Sequence, residues 1–250
     1  MAAAMLLLAV GWALPSPAAA APAERPVIHV RGAALRAEGT LAVAGAPARG
    51  GPEGLDPCGD GAYTLFPASW DGTFRWRFKW SSVPADLDPA QVLATLRRAA
   101  SNVVNADNDC GDADLVSARH RYDGVTSRGP NISTASECGE RDGVSVVAFG
   151  DLAPTDLGMS CWWSMDGRTI EADIKLNRVE YGWVLAVPLG CVLRWSVEAV
   201  ATHEFGHAFG LDHVAEATHR DLTMSPLISP CQHQETTLGR GDLLGLQARY

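Results

Sequence analysis

The feature that most restricts what this chain can fold into is the run His203-Glu204-Phe205-Gly206-His207-Ala208-Phe209-Gly210-Leu211-Asp212-His213. Imidazoles four residues apart on a helix stand one turn above the other on the same face, so His203 and His207 can both reach one metal ion. A helix through these residues is therefore required, and so is its end. Gly210 has no Cβ to penalise positive φ, so the helix can stop and the chain turn sharply; His213 then returns as a third ligand. Three neutral imidazoles with an open fourth position suit zinc, and one catalytic Zn2+ is expected. Glu204 is adjacent to the ligands without being one of them, placed to act as general base on a water at the metal.

The pattern H-E-x-x-H-x-x-G-x-x-H is followed, eleven residues past His213, by Met224 within Leu222-Thr223-Met224-Ser225-Pro226. Together they resemble the metzincin metallopeptidases, whose Met-turn Met224 would supply beneath the zinc. Astacin-like and serralysin-like members carry a tyrosine two residues after that methionine as an extra ligand; here the position is Pro226, so that ligand is absent. Pro226 and the closing Asp242-Leu243-Leu244-Gly245-Leu246-Gln247-Ala248-Arg249-Tyr250 are closer to the matrixin branch. From about Cys58 to the C-terminus the sequence is most similar to secreted matrixin-like proteases of actinobacteria. The resemblance implies an α+β fold: a twisted mixed sheet of about five strands with an antiparallel edge strand, a long backing helix, the zinc-binding helix, the Met-turn and a C-terminal helix. It also implies hydrolysis of internal peptide bonds.

With 250 residues and 47% apolar content, and a mean hydropathy near zero, the chain can bury a sizeable core; one domain with short extensions is the economical organisation. Twenty Lys and Arg against 29 Asp and Glu give a net charge of −9, which argues against nucleic acid or an anionic membrane as the main partner. A protein or peptide substrate and a monomeric state are expected. Residues 1–20 hold an apolar run, Ala2 to Leu14, then Pro15-Ser16-Pro17 and small residues. They read as a secretory signal peptide despite lacking an initial Lys or Arg, and they are too short to span a membrane. The protein is therefore expected outside the cell, without a stable membrane anchor. Residues 21–57 read as a flexible leader or short propeptide, with Val27 to Val30 and Thr40 to Val43 as short candidate strands, and residues 58–250 as the metzincin-like catalytic domain. No targeting domain is expected after the closing helix.

Six cysteines, Cys58, Cys110, Cys138, Cys161, Cys191 and Cys231, point to three disulfides in an exported protein. Proximity along the chain favours Cys110 with Cys138 and Cys161 with Cys191, leaving Cys58 with Cys231. Matrixin zymogens hold a zinc-blocking cysteine at a place comparable to Cys58. The flanking Asp56-Pro57-Cys58-Gly59-Asp60 matches that switch poorly, and the disulfide is the preferred reading.

Along the catalytic part, Thr73 to Trp80 alternates between Phe74, Trp76, Phe78 and Trp80 on one side and Arg75, Arg77 and Lys79 on the other, predicting a half-buried strand. Asp88-Pro89 then forms an N-cap and N1 pair for a helix to Asn105 with Val92, Leu96, Ala99 and Val103 on its apolar face. The loop Asp107 to Asp114 is rich in the oxygen ligands that Ca2+ takes, but its spacing matches no EF-hand and a disulfide-tethered polar loop is preferred. Leu115 to Tyr122, Val144 to Phe149, and Ile170 to Leu176 read as further strands, with Asn131-Ile132-Ser133 a glycosylation sequon. By its order in the chain, Asp156 to Trp163 occupies the place of the metzincin edge strand; Gly158, Met159 and Ser160 would then offer backbone groups to an extended substrate, the alternative being an ordinary buried strand. The zinc helix is expected to begin near Ser196, with Val197, Ala201, Phe205 and Phe209 facing the core. Nothing around His29, His120, His219 and His233 resembles a second zinc site. Residues Leu227 to Glu235 would shape the specificity pocket.

The function these readings favour is a secreted zinc endopeptidase. The competing readings are a zinc hydrolase acting on a non-peptide substrate, a metzincin fold used as a binding module, and a structural protein without metal. Binding alone would give Glu204 no task, and a metal-free protein would leave all five motif residues to coincidence.

Overall fold

The computed structural model describes residues 27–38, 56–113, 115–232 and 236–250. The expected signal peptide, the candidate strand Thr40 to Val43, Asp114 and His233 to Glu235 lie outside the described residues.

In chain order the elements are β1 (Ile28–Ala37), β2 (Thr64–Leu65), β3 (Thr73–Phe78), α1 (Pro89–Val104), β4 (Arg119–Val125), β5 (Ser145–Gly150), β6 (Asp156–Met165) and β7 (Arg168–Asn177). There follow β8 (Gly182–Val184), β9 (Arg194–Ser196), α2 (Val197–Ala208), β10 (Leu211–Asp212), α3 (Glu216–His219), β11 (Leu227–Ile228) and α4 (Arg240–Arg249). Alternation makes β3: Phe74, Trp76 and Phe78 are fully buried and Arg75 and Arg77 exposed. Helix α1 starts where its cap is, the Asp88 carboxylate accepting from the Gln91 N–H at 2.8 Å with proline following it. Its apolar face packs against α2, and Phe205 of α2 meets the rings of Phe74 and Trp76 at 6.2 and 5.5 Å between centroids. Strand β4 begins at Arg119 rather than Leu115, because parallel pairing with β3 starts there and Leu115 is exposed.

The α+β class is as the resemblance implied, with a mixed sheet in the order β11-β1-β6-β7-β5-β3-β4. It has seven strands rather than about five. The five from β4 to β6 are those of the expected sheet, but β6 is not its edge: β1 and β11 extend the sheet beyond it, so Gly158, Met159 and Ser160 are paired with Leu35, Ala34 and Ala33, and the alternative reading of an ordinary buried strand is the one found. Residues 28–37, read as part of a flexible leader, thus form a strand, because the backbone groups of β6 give them a partner.

The two faces of the sheet differ in kind. One packs on α1 and α2. On the other, loop residues 126–144 fold over β7, burying Glu171, Asp173 and Lys175, whose alternation alone reads as a solvated face. The carboxylates replace water with backbone donors: Asp173 accepts from Asn131 and Val146, and Glu171 from Asp142 and Gly143 at 3.0 and 2.6 Å. Lys175 donates to the carbonyls of Ile132, Ser133 and Asp151.

All three expected disulfide pairings are corrected: the bonds are Cys58–Cys110, Cys138–Cys161 and Cys191–Cys231, each joining neighbours in sequence order. Cys110 follows α1, whereas Cys138 lies in the loop over the opposite face and packs with Cys161, Ile132 and Trp163. The sheet separates cysteines that the chain keeps close. Cys58 is a disulfide partner, as preferred, although not of Cys231. The polar loop after α1 is tied by that bond and by Asn108, whose side chain accepts from the amides of Cys110 and Asp112.

Truncating the ring at the centre of the larger core, Phe205→Ala, is expected to lower the unfolding free energy by about 3–5 kcal/mol, read from urea melts followed by tryptophan fluorescence.

Candidate metal centre and active site

Helix α2 is positioned at both ends by its own sequence. The Ser196 hydroxyl accepts from the Ala199 N–H at 3.2 Å, and Glu198 in the first turn pairs with Arg98 of α1 at 2.8 Å. At the other end Phe209 caps the helix and Gly210 takes φ 95°, with the Ala68 carbonyl so near that a Cβ would stand 3.0 Å from it. The chain then pairs as β10 with β2 and delivers His213.

His203, His207 and His213 converge: Nε2 of His213 lies 3.1 Å from that of His203 and 3.0 Å from that of His207. For His203 and His207 the second nitrogens decide the tautomers. Nδ1 of His203 faces the Thr223 carbonyl at 2.6 Å and Nδ1 of His207 the Leu211 carbonyl at 2.9 Å. A carbonyl only accepts, so each Nδ1 carries the proton and each Nε2 presents a lone pair. Burial drives the pKa values of His203 and His207 well below the ordinary range and that of His213 to about 4, which keeps the rings neutral. The lone pairs of His203 and His207 both face Nε2 of His213 at about 3 Å, a spacing that a proton on that nitrogen or a cation among the three satisfies. The donor set, three neutral imidazoles each able to offer Nε2, fits a zinc ion.

Glu204 is fully buried beside this cluster. Its Oε2 accepts from the Ser160 hydroxyl at 2.6 Å, and Oε1 has no hydrogen-bond partner. Burial pushes its pKa up to about 8; the Ser160 hydroxyl and the Leu35 amide pull it back down. A cation among the histidines would pull it lower still. Gly158 makes room for this carboxylate, since a Cβ there would lie 2.4 Å from Oε1.

Beneath the histidines, Met224 is buried with its sulfur 2.5 Å from where a Cβ of Gly206 would stand, so any larger residue at the middle of the motif would make the methionine side chain shift. The turn carrying Met224 is held by Asp242 at the start of α4, whose carboxylate accepts from the amides of Thr223 at 2.9 Å, Met224 at 3.2 Å and Gly239 at 3.0 Å. That clamp also fixes the Thr223 carbonyl on which His203 depends. Trp162 stacks near His207, ring centroids 6.2 Å apart and planes at 21°.

The structure therefore brings together every residue of the motif, with Met224, Gly158 and Ser160, and it sends Met159 to the opposite face, into the cluster with Cys161. Sequence reasoning took Ser160 for its backbone alone; no local pattern signals that its hydroxyl meets Glu204. It missed Asp242 as a clamp and Leu35 altogether, the latter lying in an Ala- and Gly-rich stretch without motif.

Residues 155–250 match the matrixin family model. That segment runs from β6 through the histidine cluster and Met-turn to α4, and it is matrixin-like; the strands before it lie outside the match. No curated protein matches the chain.

Two outcomes are expected. Chelation lowers the melting temperature of the wild type by several degrees, because a metal bound only by the folded state stabilises it; His207→Ala, which removes a ligand, melts at one temperature with or without chelator. Burial raises the Asp242 pKa to about 6. Its stabilising contribution is full below about 3.8 and lost as pH rises through about 6, so the stability difference between wild type and Asp242→Asn in urea melts shrinks over that window.

Proposed function

We propose that this chain is a secreted zinc-dependent endopeptidase whose catalytic domain spans residues 58–250. The observation that carries the reading is the trio of imidazole nitrogens converging beside a buried Glu204, within a segment that matches the matrixins, a family of zinc-dependent endopeptidases. Extracellular location is supported by the three disulfides, by the absence of free cysteine, and by the lack of any membrane-crossing helix among the described residues. The similarity to actinobacterial proteases rests on the sequence resemblance alone.

In this reading His203, His207 and His213 hold the ion through Nε2, and the backbone carbonyls of Thr223 and Leu211 keep their lone pairs pointed inward. When bound, zinc supplies a Lewis acid that acidifies water and polarises a carbonyl. Glu204 takes the proton of the attacking water at Oε1, the oxygen left without a partner, while Ser160 holds Oε2. The same carboxylate then returns the proton to the leaving nitrogen. Met224 floors the site and moves no proton. Peptide substrate aligns along β6 in the place that β1 takes in this structure, which requires β1 to leave, and Gly158 admits Glu204. Leu227 and Ile228 wall the recess beside His203.

The test is cleavage of casein or gelatin by the zinc-loaded protein. Glu204→Ala is expected to lose about 10²–10⁴ of the rate while keeping its zinc, since it removes the proton carrier and no ligand. Ser160→Ala is expected to fall less than Glu204→Ala. Zinc bound by the wild type without chelator-sensitive cleavage would reject the reading in favour of a binding module.

A further inference from the structure

The face of the sheet turned away from α1 and α2 carries a groove that the histidine site does not use. Its origin is the late start of β5, which pairs with β3 only from Ser145 opposite Trp76 and with β7 only from Val147 opposite Ile174. Gly143, in the left-handed region at φ 83°, turns the chain into β5 just short of that point. Among the described residues, β3 and β7 run on ahead of Ser145 with no strand between them. The gap opens into a groove of about 330 Å³, a volume within the range of clefts that hold ligands.

The two sides of the groove differ. Thr73, Arg75 and Arg77 line the β3 side, on the face opposite the buried Phe74, Trp76 and Phe78. Val144 and Ile170 stand across from them, and Trp70, whose indole N–H is taken by the Ala208 carbonyl at 2.8 Å, adds ring surface. The charges do not cancel. Asp123 also lines the groove, but its carboxylate is shared between Nε of Arg75 at 2.8 Å and Nε of Arg121 at 2.5 Å. Of the carboxylates nearby, Asp142 pairs with Arg128, Glu171 with Arg141 and Asp71 with Arg168. Among the described residues Arg77 has no acidic partner, nor has Arg119, which lies beside Thr73 on β4. A chain of net charge −9 thus turns a cationic face outward at this one groove.

Spacing chooses the partner. Residues two apart on a strand recur on one face about every 7 Å, so Arg75 and Arg77 are set at that repeat, and an extended peptide presents its alternate side chains at the same repeat. The planar fork of arginine takes a carboxylate through two N–H groups. We propose that this groove docks an extended acidic segment of a partner protein, with carboxylates at alternate positions on Arg75 and Arg77 and apolar residues between them against Val144, Ile170 and Trp70. A uniformly charged polymer would leave that apolar side unmatched. The inference does not depend on the reaction at the histidines, which α2 carries on the other face of the sheet, so a partner held here leaves the cleft unoccupied.

The experiment measures fluorescence anisotropy of labelled ten-residue peptides against the full chain carrying Glu204→Ala, so that no peptide is cut. One peptide alternates Glu and Val, a second holds the same residues with the five Glu in one block, and a third alternates Lys and Val. The alternating acidic peptide is expected to bind severalfold tighter than the blocked one, more weakly as salt is added, and the basic peptide not at all. Adding Arg75→Glu and Arg77→Glu is expected to weaken the alternating acidic peptide by at least about tenfold, since like charges then face each other. A second readout needs no groove variant: binding slows hydrogen exchange within residues 73–77 and 143–146 and leaves residues 203–213 unchanged. Equal binding of the two acidic peptides shows attraction to any polyanion and overturns the proposal. Unchanged affinity after both charge reversals, slowed exchange along β6 or at the histidines instead of the groove, or no binding of the alternating acidic peptide overturns it as well, and none of these outcomes bears on the peptidase reading.

Discussion

Three imidazole Nε2 atoms aimed at one point are the constraint on which the rest of this structure depends. Left to themselves the rings would turn away from one another. What holds them is a set of carbonyls: Thr223 takes the Nδ1 proton of His203 and Leu211 that of His207. Each carbonyl is in turn held by something distant in sequence. Asp242 pins the amides of Thr223 and Met224 from the start of α4, and β10 carries Leu211 by pairing with β2. The buried carboxylate of Asp242 is tolerated because three backbone N–H groups replace its water.

The sheet has an equally specific task. Its α2 side brings Gly158 and Ser160 up to Glu204, one by having no side chain and the other by hydrogen-bonding it. Its far side is organised by buried carboxyl groups, with Glu171 and Asp173 accepting from the amides of Asn131, Asp142, Gly143 and Val146 and so holding the loop of residues 126–144 on β7. Beyond β6 the backbone groups are taken up by β1, and the open cleft between β6 and β11 becomes a continuous sheet. A strand in that position closes the site without any cysteine approaching the histidines, since Cys58 is bonded to Cys110.

Much of the site was legible because its determinants are local. The spacing of His203 and His207, the stop at Gly210 and the caps at Asp88 and Ser196 act within a few residues of themselves, and each appears where periodicity put it. What was not legible depends on which segments meet. The disulfides were misassigned because distance along the chain says nothing about the face of the sheet on which a loop lands. Glu171 and Asp173 look solvated in an alternating strand; only the loop folded over them makes them anchors. Leu35 has no motif around it, and its place in the cavity follows from pairing with β6 and β11.

The sequence by itself determined the metal-binding pattern, the helix that displays it and the alternation of the central strands, because helical and strand periods convert spacing directly into faces. Only the tertiary structure decided the tautomers of His203 and His207, the partner of the Glu204 carboxylate, the pairing of the cysteines and the strand lying in the cleft. Those depend on backbone carbonyls, amides and edges, which are the same in every residue type and leave no mark in the sequence until the fold brings them together.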